Sequence, residues 1–260
     1  MLHLLIGTDW TRNRDAVLAR LADDVHTRRE GRILMVPELI SHETERALCR
    51  FAGDTASRYA EVLSFTRLAR RAAEQAGSSA MECLDSGGRV VAMAAAARQL
   101  ASKLKAYAAV ETKPEFLTEL IDAVDEFKRC CITAQDLKAA AAQTEGSLAQ
   151  KLEELSLLME SYDALCSQGK RDPRDQMTWL LEQLEESDYA QTHVFYIDGF
   201  PDYTRQHLEI LEHLIQFSPS VTVSLNCDSI GSRQLAFEKA GQTASEIYRA
   251  AQRLNIPVQV

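Results

Sequence analysis

The residues of this 260-residue chain whose types and spacing could do chemistry form a phosphate-loop frame without its phosphate-binding groups. Leu2 to Ile6 (LHLLI) is an apolar run of strand type, Gly7 opens a turn, and Asp15 to Leu21 has the apolar spacing of an amphipathic helix. Strand, turn and helix in that order are what the pattern G-x-x-x-x-G-K-[ST] requires. Its second glycine lets backbone approach a phosphate, its lysine neutralises the charge, and its hydroxyl holds magnesium. Counted from Gly7, those positions hold Arg12, Asn13 and Arg14. All three groups are missing, although Arg12 and Arg14 leave positive charge at the helix start, where an anion could still bind.

A second fragment of the same chemistry lies far downstream. HVFYIDGF is an apolar strand, His193 to Asp198, ending in an acid, the form of a Walker B motif whose carboxylate holds magnesium. A hydrolytic version follows that acid with another to orient water, and here Gly199 follows. Taken alone, Asp198 and Gly199 read better as a strand-end turn. Together with Gly7 they say more, because ligands of doubly wound sheets sit at the carboxyl ends of strands. Gly7, Arg12, Asn13, Arg14 and Asp198 are therefore the candidate, degenerate nucleotide site. The segment VLSFTRLARR is the best nucleic-acid candidate: Phe65 could stack on a base, Arg67 could reach a base edge or phosphate, and Arg70 and Arg71 extend the charge. The plainer reading makes Phe65 core and the arginines a solvated face. There is no catalytic triad, and the six histidines lack metal-ligand spacing. His207 and His213 are expected on one solvent-facing helix. The six cysteines show no C-x-x-C pair and read as reduced structural thiols of a cytoplasmic protein.

Three stretches must position these groups. Residues 1–77 alternate strand and helix: Arg32 to Pro37 is a second strand, Ser41 caps a helix running to about Phe51, Glu61 to Phe65 is a third strand, and Thr66 to Gln75 a basic helix. Residues 78–186 are rich in Ala, Leu, Glu, Lys and Gln at helical spacing, with helices over Arg89–Ala109, Pro114–Lys128, Thr133–Gln143, Ser147–Gln168 and Pro173–Leu184. Residues 187–260 return to alternation, with strands at His193–Asp198 and Val221–Leu225 around the helix Thr204–Phe217, then the helix Gln242–Leu254 and a last strand-like IPVQV. The pattern predicts an α/β fold, a parallel-sheet domain interrupted by an all-helical insertion domain. The apolar ending Ile256–Val260 suggests a piece of a longer chain.

Composition bounds the function. With 46% hydrophobic and 26% charged residues the chain is an ordinary globular one. No apolar run approaches the ~20 residues of a membrane span, and no membrane partner is expected. The net charge is −9, yet residues 1–71 carry twelve Arg, no Lys and ten acids, a balance of +2 that leaves −11 for the remainder. An all-arginine set suits phosphate contact and base stacking, while the overall acidity argues against a nonspecific DNA binder.

Four segments in order, LLIGTDWTRNRDAVLARL, RILMVPELISHETERAL, AEVLSFTRLARR and HVFYIDGFPDYTRQHLEILEHL, resemble the N-terminal part of AddB (also RexB), the B subunit of the bacterial AddAB helicase–nuclease. The helical segments LAQKLEELSLLMESYDAL and GKRDPRDQMTWLLEQLEES resemble that family too, so the likeness spans nearly the whole chain. The resemblance implies a RecA-like domain (P-loop NTPase, superfamily 1 helicase-like) interrupted by a helical domain. It implies a heterodimer with an A-subunit motor of AddA or RexA type, acting on single- and double-stranded DNA ends in recombinational repair, with scanning of the exiting strand for a regulatory sequence, Chi. The DNA-contacting positions it implies are Leu39 and Ser41 after VPE, Phe65 and Arg67 in SFTR, and Phe200 in DGF, to which the reading of VLSFTRLARR adds Arg70. Two features depart from the family pattern. The usual GSGKT loop is absent, which puts ATP and magnesium binding in doubt, and Leu39 stands where the family's VPEQ has glutamine. The family's iron–sulfur cysteines lie beyond residue 260, so no cofactor is assigned to this stretch, which is expected to have no activity of its own although its parent would hydrolyse DNA. The alternative is a purely structural domain that docks a motor subunit without touching DNA. An active P-loop ATPase is the least supported reading.

Overall fold

The computed structural model describes residues 1–78, 81–108 and 113–260. The chain divides into two compact units, Met1–Ser79 with Met177–Val260, and Ala80–Gln176.

The first unit is built on strands short enough and apolar enough to be buried on both faces, the usual condition for a parallel sheet. They are β1 (Leu2–Gly7), β2 (Arg32–Met35), β3 (Ala60–Leu63), β4 (Val194–Ile197), β5 (Val221–Asn226) and β6 (Val258–Gln259). All pair in parallel in the order β3-β2-β4-β5-β1-β6. Leu34 of β2 stands opposite Tyr196 of β4, and both join one core cluster, which α1 (Trp10–His26) enters through Val17, Leu18 and Leu21 and α2 (Ser41–Ala52) through Ala47 and Leu48. Their neighbours Ile33, Met35, Phe195 and Ile197 are buried as well and, by the period of two, point to the opposite face. Each such side chain stabilises the fold by about 1.5–3 kcal/mol relative to exposure.

Local hydrogen bonds at the helix starts account for several differences from the sequence reading. Asp9 accepts hydrogen bonds from Thr11 N (3.0 Å) and Arg12 N (3.3 Å), so α1 begins at Trp10 rather than Asp15. Ser41 is not a cap: its hydroxyl donates to Glu38 O (2.9 Å), and a single 3-10 turn, Glu38–Ile40, precedes α2. Ser64 caps α3 (Phe65–Ala76), accepting from Arg67 N, which ends β3 at Leu63 and moves Phe65 from strand to helix.

The described part of the second unit contains α4 (Ser86–Gln99), α5 (Pro114–Arg129), α6 (Ala134–Ala141) and α7 (Gly146–Cys166). Helix α4 ends well before the expected Ala109, which itself lies outside the described residues. Met93, Ala96, Leu120, Val124, Leu158 and Tyr162 belong to its apolar core. Beside that core lies a buried ionic network: Arg89 contacts Asp125, Asp172 (3.1 Å) and the Tyr162 hydroxyl (3.2 Å), and Lys128 contacts Asp175 (2.6 Å) and Asp163 (2.8 Å).

The chain then returns to the first unit through α8 (Gln176–Glu185) and the short α9 (Tyr189–Thr192). Residues 177–186, expected in the helical segment, belong with the sheet unit, where Gln206 of α10 (Arg205–Phe217) donates to Thr178 (3.4 Å). The last helix is α11 (Glu238–Arg253). None of the helices among the described residues is long and apolar enough to cross a membrane.

Candidate functional site

A parallel sheet sends every strand's carboxyl end to the same edge, and that is where the sequence-predicted residues gather. Gly7 ends β1 and Asn13 follows it, Leu39 and Ser41 follow β2, Phe65 and Arg67 follow β3, and Asp198 and Phe200 follow β4. Arg12, Arg14 and Arg70 lie farther along α1 and α3.

The nucleotide-like half is filled by the protein itself. Only Thr8 and Asp9 separate β1 from α1, so there is no loop long enough to encircle a phosphate. The Asp9 carboxylate occupies the helix amides that would otherwise meet an anion and adds a negative charge in front of them. Asn13 is buried, and its side-chain nitrogen donates to Gly7 O (3.0 Å) and Leu225 O (3.3 Å), bridging the ends of β1 and β5. The Asn226 amide, oriented with its nitrogen toward β1, faces Gly7 O (3.0 Å) and Thr8 O (3.1 Å). The two arginines read as a residual anion site are paired with carboxylates: Arg12 with Asp9 (3.5 Å) and Arg14 with Glu43 (3.5 Å). Asp198 is buried. Burial pushes its carboxyl above the ordinary range, against hydrogen bonds from Ser224 and Gly199 N–H and the nearby Arg14 charge.

The candidate DNA-contacting half is more varied. Phe65 is only 5% exposed, so its ring is not open to a base. His207 stacks on it at 4.3 Å and 18°, and Phe200 meets it edge-on at 5.3 Å. His207 is thus a packed aromatic rather than the solvent-facing residue expected, and burial lowers its pKa. Its ring nitrogen closes a capping box with Thr204 at the start of α10. Phe200 is half-buried and also contacts Tyr203 (5.4 Å). Gly199 aims it, with φ at +78° and so close to Ile40 that a Cβ would lie 2.9 Å from Ile40 Cδ1. Leu39 is 98% exposed on the 3-10 turn, whereas Ser41 is buried and spent on Glu38. Arg67 pairs with Glu45 (3.0 Å) and Arg71 with Glu61 (2.9 Å) and Glu74 (3.1 Å). Arg70 is exposed, with no ion pair among the described residues. Among the described residues this edge therefore offers the aromatics Phe200 and Trp10, the exposed aliphatic Leu39 and the guanidinium groups of Arg67 and Arg70 around a self-filled strand crest.

The family model described as ADDB, N-terminal, matches residues 4–260. The chain belongs to the AddB family. A relative from Thermoanaerobacter sp. (strain X514), named as the B subunit of an ATP-dependent helicase/deoxyribonuclease, is 33% identical over 199 residues, which is 76% of this chain and 17% of the relative. Proteins of the same name from Clostridium acetobutylicum and Bacillus velezensis are 26% identical over 230 residues and 25% over 271. These alignments take in 87% and 99% of this chain and 20% and 23% of the relatives, so the chain spans about a fifth of the length of the curated relatives it matches.

Three residues of this AddB-family edge escape the sequence reading. Asp9 carried a signal, a cap-type residue just ahead of a helical run. Ser224, donating to Asp198, and Tyr203, whose buried hydroxyl has no hydrogen-bond partner among the described residues, carried none, because their role depends on strands remote in sequence.

Proposed function

We propose that this chain is the N-terminal, helicase-like region of the B subunit of an ATP-dependent helicase/deoxyribonuclease. In this reading a RecA-like domain, interrupted by a helical insertion, holds single-stranded DNA and the motor subunit without hydrolysing ATP itself. Its place is DNA-end processing for recombinational repair, with scanning of the strand for a regulatory sequence. The observation that carries the reading is the collection of Leu39, Arg67 and Phe200 on one strand edge, while the neighbouring phosphate position is filled by Asn13 and faced by Asp9. Phe200 supplies the stacking ring and Phe65 supports it from beneath, while Arg67 and Arg70 meet phosphates. Leu39, in place of a glutamine, offers a thymine methyl an apolar contact instead of hydrogen bonds.

Fluorescence anisotropy with single-stranded oligonucleotides, on the full-length subunit assembled with its motor partner, tests this reading. Arg67→Ala and Arg70→Ala should each flatten the slope of log affinity against log salt by about 0.7. Unchanged slopes in both would remove the DNA role. Magnesium-dependent ATP turnover by the full-length chain without its motor partner would remove the claim of an inactive site. A docking reading, in which this face meets only protein, draws on the 98% exposure of Leu39 and 92% of Leu235. It predicts that Leu39→Asp weakens assembly and leaves oligonucleotide affinity alone.

A further inference from the structure

Next to the position filled by Asn13 lies a cleft of about 240 Å³ that the reading above touches only through Phe200. Trp10, Phe200 and Pro201 form apolar walls, and Asp198, Ser224 and Asn226 line it with polar groups. Trp10 is 62% exposed, an unusual exposure for the side chain that buries most on packing. It opens α1 directly after the Asp9 cap, so its backbone is held although its indole is not covered. Ser224 donates to Asp198, which leaves that carboxyl's remaining lone pairs as acceptors; burial raises the pKa of the partnerless Tyr203 hydroxyl, and the nearby Asp198 charge raises it further. Flat apolar walls with a few converging polar groups are the chemistry that holds a planar heterocycle.

We propose that this cleft takes a single nucleobase, stacked on Trp10 and Phe200, with its polar edge toward Asp198 and Ser224. A carboxylate acceptor suits the exocyclic amino group of cytosine or adenine. Asn13 and the Asp9 cap leave a nucleotide's own phosphates no anchor, so the base belongs to a strand whose backbone is held elsewhere along the edge. This rests on the DNA reading above and adds Trp10 and the cleft to it.

The test uses the full-length subunit assembled with its partner and a single-stranded oligonucleotide carrying 5-iodocytosine. Irradiation should join the base to Trp10 or Phe200, located by peptide mass spectrometry. Trp10→Ala should weaken binding roughly tenfold, Trp10→Phe should recover most of that, and neither should alter the salt slope, since no phosphate contact is lost. Arg67→Ala and Arg70→Ala run in parallel separate the two claims. If the arginine variants flatten the slope while Trp10→Ala leaves affinity unchanged, the cleft proposal falls and the DNA reading stands; if none of the three has an effect, both fall. Loss of the adduct on adding free cytidine, with oligonucleotide affinity retained, would assign the cleft to a free nucleoside and overturn the strand-borne base.

Discussion

Filling of the phosphate position by Asn13 can be tested by a pair of substitutions whose effects must not add. Gly7→Ala places a methyl group against Asn13 Oδ1, well inside contact distance. Gly7 lacks the left-handed φ of Gly31 or Gly199, so the alanine meets a packing problem and no backbone one. Overpacking of this kind costs about 1–3 kcal/mol, partly offset by the ~0.4–1 kcal/mol that replacing glycine returns through the unfolded chain. Asn13→Ala removes two hydrogen bonds and leaves Leu225 O without its side-chain donor, for about 2–4 kcal/mol in all. In the double variant the methyl group has nothing to strike, so the combined loss should fall short of the sum by about 1–3 kcal/mol. Hydrogen exchange of peptides covering β1, α1 and β5 in the full-length subunit reads this locally, tenfold in protection for each ~1.4 kcal/mol. Additivity within ~0.5 kcal/mol would mean that Asn13 does not occupy the space beside Gly7 and would refute the reasoning.

Three further outcomes are expected. Arg89→Met takes from Asp125 and the fully buried Asp172 the cation they share, leaving Arg174 (2.7 Å) on the first and Lys128 (3.6 Å) on the second, and should cost the helical unit about 2–4 kcal/mol, read as loss of exchange protection in α4 and α7 while β1 to β5 stay protected. Glu154 is buried, which alone would raise its pKa, but the N–H groups of Ala106, Tyr107 and Lys105 and the Gln150 amide outweigh that and hold it below the ordinary value. A depressed carboxylate stabilises above its unfolded pKa of about 4.3 and loses that contribution as pH falls through the folded value, so denaturant resistance of the helical unit should drop below about pH 4, and less in Glu154→Gln. Burial lowers the pKa of His207 against the opposing pull of Asp202, so its contribution is complete above about pH 6.5 and declines as pH falls through the lower folded value. Exchange at the start of α10, corrected for intrinsic pH effects, should therefore quicken on acidification toward pH 5 in the parent and not in His207→Phe, which keeps a ring on Phe65.

The alternation of apolar strands with amphipathic helices was enough to foretell an all-parallel sheet, because both signals are local: a run such as VFYI must be covered on two faces, and a stretch such as EVLSFTRLARR changes period within itself. The edge at which Gly7, Phe65 and Asp198 would lie followed from parallel pairing. What each side chain does at that edge did not. Ser64 took the cap that turned Phe65 from a strand-end ring into the first residue of α3, and a capping hydroxyl competes with strand pairing over a span too short for periodicity to judge. His207 looked solvent-facing on its helix, yet it covers Phe65, a contact set by how α10 crosses the sheet.

The sequence by itself determined the order of elements, the absence of the lysine and hydroxyl that a phosphate loop carries, and the arginine-only set of basic residues in the first 71 positions, His aside. These depend on residue identity and on spacings of a few positions. Only the tertiary structure decided that the turn after β1 is bridged by Asn13 reaching across to Leu225, that the Asp9 carboxylate caps the start of α1, and that Trp10 stands open beside Asp198. Each of these depends on strands brought side by side from opposite ends of the chain, and burial, unlike periodicity, is a property that no segment carries alone.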